Sequence, residues 1–233
     1  MRVLHVFTRL NAGGPARQAL DLLPLLRERG VESLLAFGAC PPDEPSWEEE
    51  AARRGIPLVR IPGLGKGEAG AGRAFAALSG EISRFRPHIV HTNMARAGVL
   101  GRAAALVRGV PVRVHTFHGH VFREYFSPPV SLGIRWAEHL LSLGTTRLAA
   151  VSPAVKADLV RLGAAPERKI TVLEPCLDLG PFRAAGEKAR AGKVCRETLT
   201  VGWAGRMVPV KDPLLFARAA ADLSGRFPGT RFL

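Results

Sequence analysis

Gly205-Arg206-Met207-Val208-Pro209-Val210-Lys211 follows the apolar run Leu199-Thr200-Val201-Gly202-Trp203-Ala204 and precedes a helical pattern that starts at Asp212. An arginine and a lysine five positions apart can reach one phosphate from two sides, and a helix start adds unpaired amides and partial positive charge. A second place of this kind follows the first apolar run, in Thr8-Arg9-Leu10-Asn11-Ala12-Gly13-Gly14-Pro15. There Gly13 and Gly14 allow a ligand close to the backbone, and Pro15 suits a first helical turn. Only 22 residues follow Lys211, so its site is expected to be the beginning of a larger one.

Histidines supply the other chemistry. His115-Thr116-Phe117-His118-Gly119-His120 runs from a strand into a loop. Three imidazoles so close can hold a metal, although no acid or cysteine lies near in sequence to complete the set. Gly119 points instead to close backbone approach by a substrate. His91-Thr92-Asn93-Met94-Ala95-Arg96 leaves a strand in the same way, which makes Asn93 and Arg96 candidate contacts in the same crevice. Gly65-Lys66-Gly67-Glu68-Ala69-Gly70 matches the dinucleotide fingerprint in letters but lacks the acid expected ~20 residues later, and is read as a flexible loop. Neither a Walker sequence nor a G-x-S-x-G elbow occurs.

The elements that must position these residues alternate, strand then helix, from end to end, the pattern of a parallel sheet wrapped by helices. Strands are expected at 2–7, 31–37, 57–61, 88–91, 112–116, 147–151, 170–173, 199–204 and 230–233, with helices at 16–29, 47–54, 73–86, 95–107, 130–143, 153–161 and 213–226. Ser46, Ser152 and Asp212 are placed to cap helix starts, and Gly30 and Gly163 to end helices. Pro24 should kink the first helix. On the helix 130–143, Ile134, Ala137 and Leu141 carry the core spacing, while Trp136 beside Arg135 suggests contact with a membrane surface. The apolar rhythm fades over 177–197, which puts a boundary near residue 180. A domain of 1–180 is therefore expected, followed by a linker and the first strand, helix and strand of an incomplete, separately unstable domain over 181–233.

The 233 residues carry a net charge of +13, from 27 Arg and 6 Lys against 20 acids. Anionic partners are implied: nucleotide diphosphates or phospholipid head groups. Nucleic acid is not, since no basic block is interleaved with aromatics and the chain has one Tyr. Cys40, Cys176 and Cys195 are too few and too scattered for a disulfide framework or a C-x-x-C site. With no signal-like h-region and no run of ~18 uncharged apolar residues, the expected location is cytoplasmic, in peripheral contact with the inner face of the membrane.

In order and spacing, these segments resemble the family-4 retaining glycosyltransferases of the GT-B fold. The likeness runs through the Gly13-Gly14 loop, His91 to Gly98, His115 to Gly119, Ala150 to Val155, Val172 to Phe182 and Gly205-Arg206 to Lys211-Asp212. It implies two facing Rossmann-like domains, doubly wound, with a cleft between them. It also implies that Arg206 and Lys211 grip the donor diphosphate, that Gly13 and Gly14 approach it from the other domain, and that His118, or else His120, lies near the transferred sugar. Asn93, Arg96 and His120 then become acceptor or sugar contacts. The donor is a UDP- or GDP-linked sugar, the acceptor a glycan or lipid-linked glycan of the cell envelope, and no metal or other cofactor is implied. Two departures stand out. Val172-Leu173-Glu174-Pro175-Cys176-Leu177-Asp178 replaces the common V-I-P-N-G-I-D, and after Lys211 the only acids are Asp212 and Asp222, where the family carries a pair of glutamates. The chain by itself is expected not to turn over. Rival readings are a non-catalytic acceptor- or anionic-surface-binding module, a GT-B nucleotide-sugar epimerase, and a metal hydrolase using His115, His118 and His120.

Overall fold

Seven short strands, each too apolar to face water on both sides, solve their burial problem by lying parallel with helices over them. The computed structural model describes residues 1–119, 128–176, 178–191, 199–205, 207 and 211–233. Its main sheet joins β1 (Arg2–Arg9), β2 (Glu32–Gly38), β3 (Leu58–Arg60), β4 (Ile89–Asn93), β5 (Val112–Phe117), β6 (Arg147–Ala150) and β7 (Ile170–Val172). The spatial order is β3-β2-β1-β4-β5-β6-β7 and all the pairings are parallel. The chain thus winds outward from β1 in one direction and then, from β4, in the other. Such a reversal opens a crevice outside the carboxyl ends of the two central strands, here β1 and β4.

Strand alternation sorts the core into two faces. Leu4, Val6, Leu34, Ala36 and Val90 pack beneath α3 (Ala71–Phe85) and α4 (Ala95–Val107), while Phe7, Leu35 and Phe37 pack beneath α1 (Gly14–Glu28) and α2 (Glu48–Arg53). Ser152 caps α6 (Pro153–Arg161) by accepting from the Val155 amide. α1 continues through Pro24, where the sequence suggested a kink. Proline removes the amide that would bond the Leu20 carbonyl, and Arg54 Nη1 takes that carbonyl at 3.2 Å while also meeting Asp21 Oδ1 at 2.8 Å. A side chain from beyond α2 thereby replaces the lost helix bond.

α5 (Pro128–Leu143) departs furthest from expectation. Ile134 does pack on the Phe117–Leu159 cluster, but Ala137 is exposed, and the buried positions on this helix are Ser131, Glu138 and Ser142. A charge pair explains this. Arg102 of α4 meets Glu138 with two parallel bonds, Nη1 to Oε1 at 2.6 Å and Nη2 to Oε2 at 2.8 Å, and its Nε donates to the Gly98 carbonyl at 2.7 Å.

Beyond Leu177 the chain forms a second unit, Asp178–Leu233. It holds α7 (Gly180–Ala191), β8 (Thr200–Val201), α8 (Pro213–Arg226) and β9 (Arg231–Phe232), with β8 and β9 parallel. The strand expected over 199–204 is shorter, and α7 occupies part of the stretch read as a linker. Its Ala, Glu, Lys and Arg content favours helix even though no strongly apolar stripe marks one. None of the described residues of this unit is buried.

Removing one partner of a buried, bidentate pair leaves an uncompensated charge, at a cost of roughly 3–5 kcal/mol. Glu138→Ala should lower stability by about that amount in urea unfolding, and Arg102→Met with Glu138→Leu should recover much of it.

Candidate functional site

The carboxyl ends of β4 and β5 are stitched together by three side-chain hydrogen bonds. His91 Nε2 lies 2.7 Å from Thr116 Oγ1, Thr92 Oγ1 lies 2.9 Å from His115 Nδ1, and His118 Nε2 lies 2.9 Å from Asn93 Oδ1. Because alternate strand residues face opposite ways, these bonds divide between the two sides of the sheet. His115 turns under α4, where a Cβ on Gly98 would stand only 2.6 Å from its Cε1, so glycine is required for the helix to lie so close. His115 is a packing histidine and not a crevice ligand. His118, beyond the strand end, lies with Asn93 at the crevice.

Burial lowers the pKa of His118 to about 4 and that of His91 to about 4, the charge of His118 adding to the burial effect at His91. His5, whose ring centroid is 5.5 Å from that of His91, is driven to about 3 by burial and then by His91. His115 falls well below the usual value, first through burial and then through the charge of Arg102. At neutral pH the four rings are uncharged. With Asn93 Oδ1 accepting, His118 donates from Nε2 and keeps Nδ1 as an acceptor. Asn93 is itself buried, and its Nδ2 has no hydrogen-bond partner among the described residues.

The loop after β1 forms the other wall. Arg9 binds Glu44 twice, at 2.5 and 3.1 Å, the Ala12 amide donates to the Pro45 carbonyl at 2.7 Å, and the Trp47 amide donates to the Leu10 carbonyl at 2.7 Å. So braced, the loop enters α1 at Gly13 with no side-chain cap. A Cβ added to Gly14 would meet nothing within 4 Å. Packing therefore does not demand glycine at 14, while the Gly13 amide donates to the Asn11 carbonyl at 2.6 Å and Pro15 has no amide. Opposite, the Ala97 amide of α4 donates to Thr8 Oγ1 at 3.1 Å. Met94, at φ +69°, turns the chain sharply from β4 into that helix.

Arg96 was a candidate acceptor contact. Its Nη2 donates to the Gly63 and Glu68 carbonyls at 2.7 and 2.9 Å, and Glu68 Oε2 accepts from the Gly65 amide at 2.5 Å. Arg96 thus braces the glycine-rich loop, which these bonds hold in place where the sequence suggested flexibility. Among the described residues no group of three or more His, Cys, Asp and Glu is arranged to hold a metal. His120 lies outside the described residues.

Comparison with known proteins now bears on this geometry. Residues 12–180 match the sequence profile of Glycosyltransferase Family 4. The chain belongs to glycosyltransferase family 4. The UDP-Gal:alpha-D-GlcNAc-diphosphoundecaprenol alpha-1,3-galactosyltransferase of Escherichia coli is 35% identical over 143 residues, 60% of this chain and 37% of that protein. The D-inositol 3-phosphate glycosyltransferase of Salinispora arenicola is 30% identical over 241 residues, 94% of this chain and 53% of that one. The crystal structure of Anabaena HepE in complex with UDP and glucose superposes with a TM-score of 0.74 at 16% identity, covering 100% of this chain and 60% of that one. This family-4 chain therefore spans roughly 37 to 60% of the length of these relatives. The main sheet is the Rossmann-like, doubly wound sheet of the GT-B fold.

Of the two cations that the family-4 resemblance assigns to the donor phosphates, Arg206 lies outside the described residues. Lys211 is exposed, two residues ahead of α8. Asp212, at φ +41°, caps that helix by accepting from the Leu215 amide at 3.1 Å, and Pro213 has no amide to offer. Fewer free helix-end amides are thus present here than the sequence suggested. The Thr92–His115, His91–Thr116 and Arg9–Glu44 contacts were not foreseen. The available signal was the matching position of two polar triplets at the ends of adjacent strands.

The neutral histidines also set the acid limit of the fold. Unfolded, they titrate near 6.5, whereas in the fold His118 and His91 stay neutral down to about 4 and His5 to about 3. In that window the unfolded chain binds more protons, so stability present above pH 6.5 is lost as pH falls toward 4, by about 1.4 kcal/mol per pH unit for each fully linked ring. Thermal melts should therefore drop steeply from pH 6.5 to 4.5, with uptake of more than one proton on unfolding measured by calorimetry in two buffers. An unchanged midpoint would contradict the buried neutral rings.

Proposed function

We propose that this chain is the acceptor-side domain and the opening of the donor domain of a retaining glycosyltransferase. Its donor is a UDP- or GDP-linked sugar, and its acceptor a lipid-linked or glycan hydroxyl. The observation that carries the reading is a neutral His118, its tautomer set by Asn93, at the same strand-end crevice as an uncapped helix start behind Gly14. Family membership favours transfer over epimerisation and over hydrolysis by a metal. The diphosphoundecaprenol-linked acceptor named for the E. coli relative supports a lipid-linked acceptor.

In this reading the bond between the anomeric carbon and the donor phosphate oxygen breaks, and the electron pair leaves with the nucleotide. An acceptor oxygen bonds the carbon on the same face, and its proton passes to the departing phosphate oxygen. The task is mainly electrostatic. Amides at Gly13 and Gly14 and the cations Arg206 and Lys211 offset charge on the diphosphate, while His118 Nδ1 accepts from a sugar hydroxyl and fixes the ring. A neutral imidazole suits this role, since it orients the sugar without repelling the positive character that grows at the anomeric carbon. No metal is required.

Gly14→Val should leave the thermal midpoint within about 1 °C, because its side chain enters open space. It should weaken UDP or GDP binding at least roughly tenfold in a chain carrying the complete donor domain. Unchanged affinity would remove Gly14 from the site. Residues 1–233 alone should release no labelled glycan from UDP- or GDP-sugars, and measurable transfer would overturn that part of the proposal.

A further inference from the structure

α5 is built inside out. Its buried positions are Ser131, Glu138 and Ser142, whereas Leu132, Trp136, Leu140 and Leu143 are 46 to 62% exposed. At 3.6 residues per turn these four fall within an arc of about 80° on the side away from Glu138. They form one stripe along the helix. Leu106 and Val107 of α4 are exposed beside it, Leu106 and Leu140 lining the same shallow depression.

The charge near the stripe is mainly positive. Between Glu81 and Asp158 the sequence contains nine arginines and a lysine but only two acids, Glu124 and Glu138. Glu138 is buried and spent on Arg102. At the C-terminal end of α5, Lys169 Nζ caps the carbonyls of Ser142, Leu143 and Thr145 at 2.7 to 2.9 Å. Its pKa is lowered by burial and then by the charges of Arg168, Arg113 and Arg147, which places three guanidinium groups around that end.

We infer that the exposed face of α5, with the C-terminal turn of α4, docks on an anionic lipid bilayer. Leu132, Trp136, Leu140 and Leu143 enter the head-group boundary, and the surrounding arginines meet lipid phosphates. An apolar stripe containing tryptophan and rimmed by arginine is the composition of a helix that lies in the membrane interface. A second copy of the chain fits less well, because +13 would face +13. Among the described residues no helix is long and apolar enough to cross a membrane, so this contact is a surface one. It makes no use of the crevice chemistry, and vesicle binding is read without any sugar transfer.

The test is sedimentation of the whole chain with phosphatidylcholine vesicles with and without phosphatidylglycerol. Binding should be at least roughly tenfold stronger to the anionic vesicles, and Trp136→Glu with Leu140→Glu should lower it by a similar factor while the thermal midpoint is kept. Brominated lipid should quench tryptophan fluorescence, with that quenching lost in Trp136→Phe. Three results would overturn the inference. The protein could remain in the supernatant; the double variant could bind as wild type does, leaving attachment to charge elsewhere; or sedimentation velocity could show a dimer that the double variant abolishes, giving the face to a second copy.

Discussion

A guanidinium cannot shed its proton inside a protein, so Arg102, almost wholly buried in α4, must be paired where it stands. Glu138 and the Gly98 carbonyl pair it. Both consequences reach function. Toward the sheet, the contact holds α4 where Gly98 lies against His115, so the β4–β5 stitching that ends in Asn93 and His118 has a fixed wall behind it. Toward solvent, it rotates α5 so that the side opposite Glu138, the apolar one, points away from the core. A helix placed by hydrophobic burial alone would have turned the other way.

The crevice floor repeats this logic with neutral groups. Histidine, threonine and asparagine occupy sheet positions where an α/β core would otherwise hold valine or leucine. Their burial costs less than a charge would because the rings stay neutral and most polar atoms find a partner within the strand pair. What remains unpartnered is informative. Asn93 Nδ2, next to His118, is a buried donor without an acceptor among the described residues, and a bound hydroxyl would satisfy it. Polar groups already oriented by the sheet need not reorganise when a substrate arrives.

Much of this was legible in the sequence, for reasons that also explain the failures. Alternating apolar runs located the strands, and the helices 95–107, 153–161 and 213–226 coincide with α4, α6 and α8, because Gly109 and Gly163 or a Pro-bearing first turn punctuate them. α5 misled because spacing identifies a stripe but not the side on which it is buried. That was decided by one ion pair between residues 36 apart. Clustering in sequence suggested that His115 and His118 act together, yet strand alternation and the strand end separate them. Pro24 was correctly read as a lost backbone bond, but its replacement by Arg54 depends on a residue 30 positions away. Local rules detect the vacancy; only the fold supplies the occupant.

A division of labour follows from the distribution of charge. The first unit brings to its crevice neutral rings and a helix start without a side-chain cap. The cations assigned to the diphosphate, Arg206 and Lys211, belong to a unit with no buried residue among those described. Cations held on a poorly packed element lose part of their attraction to the entropy of being ordered. Neutral groups on a seven-stranded sheet lose little. The side chains at the crevice are thus held in place by the sheet, whereas Lys211 is exposed ahead of α8. Electrostatic stabilisation acts through groups already fixed when charge develops, and among the described residues it is the sheet-borne crevice, with its neutral and mutually bonded side chains, that has this property.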